Sequence, residues 1–282
     1  MASNKDNPIL TALARQGFHF KKELGQNFLF NPFILEQIAG CADIGEGDVV
    51  IEAGAGAGSL TSSLAARGAK VIAVELDRAL IPFLEERFQN EPRVEIIRGD
   101  VMKLDLDALA AHRPYRICAN LPYHISTAFI SMVFRQLKNL EAGAVMLQKE
   151  VAEKVTALPG GEAYGPLALA AAWFGSAEKV MTLEPVYFTP PPPVDSAVIA
   201  FRRQRQAIGA EEKVLWLVIR GLFNQRRKNL LNGLKSLKPF VPRDGKTWPE
   251  ALEEAGIDHR RRPETLSLWE FAAIVNAAGY TE

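Results

Sequence analysis

The stretch Val49-Val50-Ile51-Glu52-Ala53-Gly54-Ala55-Gly56-Ala57-Gly58 constrains this chain more than any other. An apolar run of strand length passes straight into three alternating glycines and then into Ser59–Arg67, whose apolar positions have helical spacing. Glycines there let the backbone approach a ligand closely, and the helix start offers free N–H groups, which points to a nucleotide-like cofactor. A tight structural turn is the plainer alternative. The same alternation continues along the chain: residues 48–52, 70–75, 93–98, 115–120 and 142–148 read as strands, with helical spacing over Arg78–Phe88 and Ser126–Leu137 between them. This pattern predicts an α/β fold with a parallel, Rossmann-like sheet covered by helices on both faces.

Two later β-like runs, 179–183 and 197–203, flank a loop at 184–196 and are expected to pair antiparallel at the sheet edge. From Ala210 onward Val214, Leu217, Val218 and Leu222 recur at helical spacing, which predicts a small all-helical domain. The expected boundary lies near Gln206, dividing the chain into domains 1–206 and 207–282.

The hydrophobic fraction of 48% and charged fraction of 23% are those of a globular protein and exclude extended disorder. No run reaches the roughly 18 to 20 apolar residues of a membrane span, and Met1–Asn7 lacks a signal-peptide pattern, so a cytoplasmic protein with no membrane partner is expected. Cys41 and Cys118 have no metal-ligand spacing, so no metal is expected either. The net charge of zero hides an asymmetry. Between Arg202 and Arg262 there are 15 Lys and Arg against 7 Asp and Glu, a basic region suited to a polyanion.

Two acids follow the glycine turn at the ends of successive strands, where such sheets bind ligands: Glu75 and Asp100. Glu75 can accept from both ribose hydroxyls and Asp100 from an adenine amino group, so together they would clasp an adenosine. Each has a plain alternative, Glu75 as a solvated strand end and Asp100 as a turn or helix cap. The fourth strand then ends in Asn120-Leu121-Pro122-Tyr123. An adenine amino nitrogen is a poor nucleophile because its lone pair is delocalised. If the Asn120 side-chain oxygen and the Leu121 carbonyl accept its two hydrogens, the nitrogen can pyramidalise toward an electrophilic methyl. Pro122 restrains the backbone that carries this carbonyl, and Tyr123 offers a stacking face. Glu75 alone fits a dinucleotide enzyme as well; the Asn120 motif argues against one. An Asn-x-Pro turn without chemistry is the alternative.

With these residues in this order, the chain resembles the ribosomal RNA adenine dimethyltransferase family of class I methyltransferases over nearly its full length. Lys22-Glu23-Leu24-Gly25-Gln26-Asn27-Phe28-Leu29 is similar to its amino-terminal signature, Glu52–Gly56 to its glycine motif with alanines at 53 and 55, and Asn120–Ser126 to its catalytic motif with His at 124. The resemblance implies S-adenosyl-L-methionine as cofactor, held by Asn27, Leu29, Gly54, Gly56, Glu75, Asp100 and Asn120. It gives His124 no catalytic role. It implies that Phe188, at the start of the polyproline stretch Pro190–Pro193, stacks on the target base opposite Tyr123, where composition alone reads a stiff linker. Leu222–Leu230 resembles a helix of the KsgA-like small-subunit branch, with Arg226, Arg227 and Lys228 facing RNA phosphates, and 262–267 resembles that branch's closing signature.

The implied function is dimethylation of two adjacent adenosines near the 3′ end of small-subunit rRNA. The partner is an immature 30S-type subunit, and the enzyme is expected to be a monomer. The alternatives are an Erm-like methyltransferase of large-subunit rRNA, a DNA adenine methyltransferase, and an assembly factor acting mainly by binding.

Overall fold

Strands of alternating βα origin hide both faces, and here four of them do so: Val50, Ile51, Ala73, Val74, Ile117, Cys118, Ala144 and Val145 have essentially no exposed surface. The computed structural model describes residues 7–21, 24–204, 207–238 and 240–281. In chain order the elements are α1 (Pro8–Arg15), β1 (Phe28–Leu29), α2 (Pro32–Cys41), β2 (Val49–Ala53), α3 (Ser59–Ala66), β3 (Lys70–Glu75), α4 (Ile81–Phe88), β4 (Val94–Arg98), α5 (Leu106–Leu109), β5 (Tyr115–Asn120) and α6 (Tyr123–Arg135). They continue with β6 (Leu140–Gln148), α7 (Lys149–Val155), α8 (Pro166–Phe174), β7 (Gly175–Leu183), β8 (Phe188–Thr189), β9 (Ser196–Arg203), α9 (Glu212–Phe223), α10 (Leu230–Lys235), α11 (Trp248–Glu254) and α12 (Leu268–Ala277).

The sheet has seven strands in the order β4-β3-β2-β5-β6-β9-β7. The first five are parallel, and β9 runs antiparallel to β6. Both late β-like runs are present as β7 and β9, adjacent at the edge. The chain moves from β2 outward through β3 to β4, then returns to the other side of β2 with β5, so the direction of winding reverses between β2 and β5. Ligands of open α/β sheets bind outside the carboxyl ends of the strands at such a switch point. Gly54 follows β2 and Asn120 ends β5, so the topology alone brings the glycine turn beside the Asn120–Tyr123 segment.

Three elements precede the strands that periodicity identifies. Asn7 and Asn31 cap α1 and α2, each accepting backbone N–H bonds through its side chain, and each is followed by Pro at the first helical position. β1 pairs antiparallel with β8, Phe28 opposite Thr189 and Leu29 opposite Phe188. The polyproline loop is therefore joined through β8 to the amino-terminal segment, and does more than link two strands.

The chain divides into two units, Met1–Ala152 with Ser176–Arg203, and Glu153–Gly175 with Gln204–Glu282. A single cut near residue 206 misses the middle segment, which carries α8 and belongs with the helical unit; Gln206 itself lies outside the described residues. The physical reason is visible inside that unit. The buried Tyr164 hydroxyl donates to the Leu266 carbonyl at 2.7 Å, Gly160 N–H donates to the Glu264 carbonyl at 2.7 Å, and Trp173 packs edge-on against Trp216. A helix that buries Leu169, Trp173 and Phe174 gives no hint in its own sequence of which domain's core it fills.

The basic stretch expected on one helix from Leu222 to Leu230 is broken. α9 ends at Phe223, Asn224–Lys228 form turns, and Asn229 caps α10 by accepting from Asn232 N–H at 2.9 Å. Asn is a strong N-cap, so the new helix begins beside it. Leu222, Leu230 and Leu234 are buried, as helical spacing would place them, but the three cations ride on the turn between two helices.

Candidate functional site

Three left-handed glycines shape the turn after β2: Gly54, Gly56 and Gly58 have φ of 77°, 57° and 74°. At Gly56 a side chain would also meet the Phe28 ring at 3.3 Å, and at Gly58 it would strike Phe88 at 2.6 Å. Only glycine allows both this backbone and this closeness. The turn opens into a cavity of about 240 Å³. Its walls include Asn27, Leu29, Gly54, Gly56, Glu75, Asp100, Asn120, Leu121, Pro122, Tyr123 and Phe188, so every cofactor and catalytic residue inferred from sequence borders one space. Lys22 and Glu23 of the amino-terminal signature lie outside the described residues.

Glu75 is buried at the end of β3, and its two oxygens already hold backbone: Gly56 N–H donates to Oε2 and Asp77 N–H to Oε1, both at 2.7 Å. Burial pushes its carboxyl up, against the opposing pull of these hydrogen bonds. Asp100 is a turn cap that also borders the cavity. Its Oδ1 accepts from Met102 N–H at 3.0 Å as a turn cap, and the residue still borders the cavity, with Lys103 Nζ 3.5 Å from Oδ2.

Asn120 stands at the end of β5, where its Nδ2 donates to the Asn27 carbonyl at 3.2 Å. That bond fixes the side-chain amide, whose acceptor is Oδ1. Pro122 precedes the first turn of α6, and Tyr123 opens the helix, with its hydroxyl 2.7 Å from Oγ of the fully buried Ser196 on β9. Burial raises the Tyr123 phenol, so it stays protonated at neutral pH. Tyr123 and Phe188 share the cavity, but Phe188 is only 3% exposed and lies mostly in the core, so the half-buried Tyr123 presents the larger face. His124 is exposed at the rim beside Gly25, consistent with a wall residue.

Sequence reasoning gave no role to Glu52, Gln26 or Asp77. Glu52 is 1% exposed within β2, accepts from Thr61 Oγ1 at 2.5 Å and borders the cavity. Burial pushes it up to about 8, so this acid carries its proton at neutral pH. The available signal was a lone carboxylate inside an otherwise apolar strand.

In the helical unit, Arg226 is partly committed. Its guanidinium donates to the Glu162 carbonyl at 3.0 Å and lies 3.9 Å from Glu264, whereas Arg227 and Lys228 are exposed. Among the described residues no helix is long and apolar enough to cross a membrane.

The chain matches the family model described as ribosomal RNA adenine dimethylase over residues 17–274. It is 43% identical over 276 residues to ribosomal RNA small subunit methyltransferase A of Geobacillus thermodenitrificans, covering 94% of this chain and 93% of that protein. The protein of the same name from Pelotomaculum thermopropionicum is 40% identical over 277 residues, with the same coverage. Among solved structures, a dimethyladenosine transferase from Plasmodium falciparum superposes with a TM-score of 0.76 at 26% identity, covering 90% of this chain and 99% of that one. The 23S rRNA methyltransferase ErmE shares the fold, with a TM-score of 0.70 at 23% identity and coverage of 89% and 99%.

Proposed function

Because the chain belongs to the ribosomal RNA adenine dimethylase family, we propose that it places two methyl groups on the N6 atoms of each of two adjacent adenosines near the 3′ end of small-subunit rRNA, with S-adenosyl-L-methionine as donor. The observation that carries this reading is the bond that fixes Asn120: one hydrogen of its amide nitrogen goes to the Asn27 carbonyl, and its oxygen is the acceptor offered to an incoming amine.

The cavity fits the cofactor's chemistry. Glu75 offers its remaining lone pairs to ribose hydroxyls, Asp100 accepts from an adenine amino group, and Gly54 and Gly56 border the cavity with backbone alone. Asn27 and Leu29 cover the methionine end. S-adenosyl-L-methionine supplies a methyl group made electrophilic by its sulfonium sulfur. Asn120 Oδ1 and the Leu121 carbonyl accept the two amino hydrogens, which concentrates the lone pair on nitrogen and aims it. Tyr123 and Phe188 hold the flipped base between them. No residue needs to remove a proton beforehand, because the alkylated nitrogen is transiently cationic and sheds its proton to water. Positioning supplies most of the rate.

Arg227 and Lys228 are proposed to meet rRNA phosphates, with Arg226 contributing less because it also braces its own unit. Replacing Arg227 and Lys228 with Gln should flatten the salt dependence of subunit binding by about 0.7 to 0.9 in log–log slope per lost contact. An unchanged slope would leave them as a solvated turn. The enzyme is proposed to work as a monomer in the cytoplasm on an immature small subunit.

Relatives that carry the small-subunit name at 40–43% identity favour this target over the large subunit. Mass mapping of methylated adenosines in both rRNAs from a deletion strain, before and after complementation, tests it. Restored dimethyladenosines in the small-subunit rRNA are expected. Modification restored only in the large-subunit rRNA supports the Erm-like reading, and a rescued assembly defect without restored methylation supports a binding factor.

A further inference from the structure

Asp77 sits just beyond Glu75 with its side chain 1% exposed, which is an unusual place for a carboxylate unless donors surround it. They do. Lys21 Nζ lies 2.5 Å from Oδ1, Ala79 N–H donates to Oδ1 at 3.0 Å, and Gln26 Nε2 donates to Oδ2 at 2.8 Å. Gln26 Oε1 in turn accepts from Lys21 N–H at 2.9 Å, which closes a ring of hydrogen bonds between the amino-terminal segment and the loop after β3. Burial alone would raise the Asp77 carboxyl; the bonds from Lys21, Ala79 and Gln26 outweigh it and hold the group ionised.

What this ring secures is one wall of the cavity. Leu24, Gly25, Gln26, Asn27, Phe28 and Leu29 all line it, and of these only Phe28 and Leu29 belong to a strand. A two-residue ladder is a weak fastening by itself. Two further ties run toward the chemistry: the Phe28 ring lies against Gly56, and the Asn27 carbonyl accepts the bond that orients Asn120. Glu75, which accepts from Asp77 N–H, joins the ring to the ribose side of the site.

We propose that Asp77 is a positioning residue that, through Lys21 and Gln26, latches Leu24–Leu29 over the cavity, retaining the cofactor there and holding the Asn27 carbonyl where it orients Asn120. The proposal rests on the cofactor reading above for its second half only. Lys21 is the clean place to break the latch, since it is 39% exposed and does not line the cavity. Its removal leaves the Asp77 charge buried with one donor fewer, a more costly state than an unpaired surface charge.

The test compares wild type with Lys21→Met, Asp77→Asn and the conservative Lys21→Arg. Deuterium uptake at the Leu24–Leu29 amides of the cofactor-free protein is read first. Faster uptake there in Lys21→Met and Asp77→Asn, with β2 and β3 unchanged and Lys21→Arg near wild type, supports the latch. Unchanged uptake at Leu24–Leu29 in both, or a rise spread evenly over the sheet, overturns it.

Release of S-adenosyl-L-methionine, chased with excess S-adenosylhomocysteine, is read second. Dissociation about tenfold faster in Lys21→Met is expected from the loss of one charge-assisted hydrogen bond. A wild-type release rate alongside raised uptake overturns the retaining role. A wild-type protein that binds no S-adenosyl-L-methionine defeats the cofactor reading instead, and the uptake result still decides the latch.

Discussion

The two ends of the cavity are built on different terms. At the cofactor end the acids are already working for the fold: Glu75 holds Gly56 and Asp77 by their N–H groups, Asp100 caps its own turn, and Glu52 is sealed against Thr61. At the base end the groups assigned to chemistry are held by others and keep a free side. Asn120 is turned by the Asn27 carbonyl and Tyr123 is pinned by Ser196. Damage at the first end should therefore mix binding with stability, while damage at the second should appear almost purely in rate.

Asn120→Ala gives the sharpest form of this contrast. Methyl transfer should fall by roughly 10² to 10³, the usual loss for one hydrogen-bond partner used in the transition state, with S-adenosyl-L-methionine and subunit binding within a few-fold of wild type. Single-turnover transfer with mass detection, beside calorimetric binding, separates the two. A wild-type rate at saturating substrate would move the chemistry away from Asn120.

Glu75→Ala should instead weaken cofactor binding by roughly 10- to 100-fold and lower the melting temperature even with no cofactor present, because two backbone donors lose their acceptor. Calorimetry and thermal melts of the same sample check both. Lost affinity with an unchanged melt would mean that the bonds to Gly56 and Asp77 contribute nothing to the fold, and the contrast would fail at this end.

Glu52 makes the cofactor end pH-sensitive in a way the base end is not. Its folded value of about 8 lies above the ordinary 4.5, so the folded protein keeps a proton that the unfolded chain gives up. Stability from this group is complete below about 4.5 and is lost as pH rises through 8, at no more than about 1.4 kcal/mol per pH unit. Glu52→Gln still accepts from Thr61 but does not titrate. Denaturant melts of the cofactor-free protein between pH 6 and 8 should show a flatter pH dependence in the variant than in wild type; equal slopes would show that Glu52 is ionised in the fold.

Much of this was legible in sequence, for reasons that also explain the gaps. Strand periodicity located β2 through β6 and set Glu75, Asp100 and Asn120 at strand ends where such sheets bind ligands, but the strand order that makes Gly54 and Asn120 neighbours is a long-range property that no local pattern carries. The amino-terminal helices carry equally plain marks, Asn7-Pro8 and Asn31-Pro32, yet hydrophobic periodicity passes over them because a cap and a proline are local signals without a period. The turn at Asn224–Lys228 was missed for the converse reason: Leu222, Leu230 and Leu234 keep helical spacing across a break that Asn229 announces. Asp77 and Gln26 were not legible at all. Their meaning lies in a contact spanning 51 residues, and nothing in either local sequence marks the partner.

The smallest expected effect tests how finely the base end is tuned. Tyr123→Phe keeps the stacking face and removes only the hydroxyl that meets Ser196, a neutral hydrogen bond worth about 0.5 to 1.5 kcal/mol, so transfer should slow by roughly two- to tenfold. Tyr123→Ala removes the face as well, at roughly 1 to 3 kcal/mol for a lost base-stacking contact. The Phe variant should not slow both transfers equally. A monomethylated amine has one hydrogen left for Asn120 or Leu121 to accept and must turn its methyl into open space, so it depends more on the ring that holds the base. Monomethyladenosine should therefore accumulate in Tyr123→Phe under conditions where wild type proceeds to the dimethylated product. Ser196→Ala removes the same bond from the other side and should reproduce the accumulation, while the double variant should do little more than either alone. Additive losses in the double variant would show that Tyr123 is placed by its surroundings and not by Ser196, and the contrast between the two ends would lose its support at Tyr123.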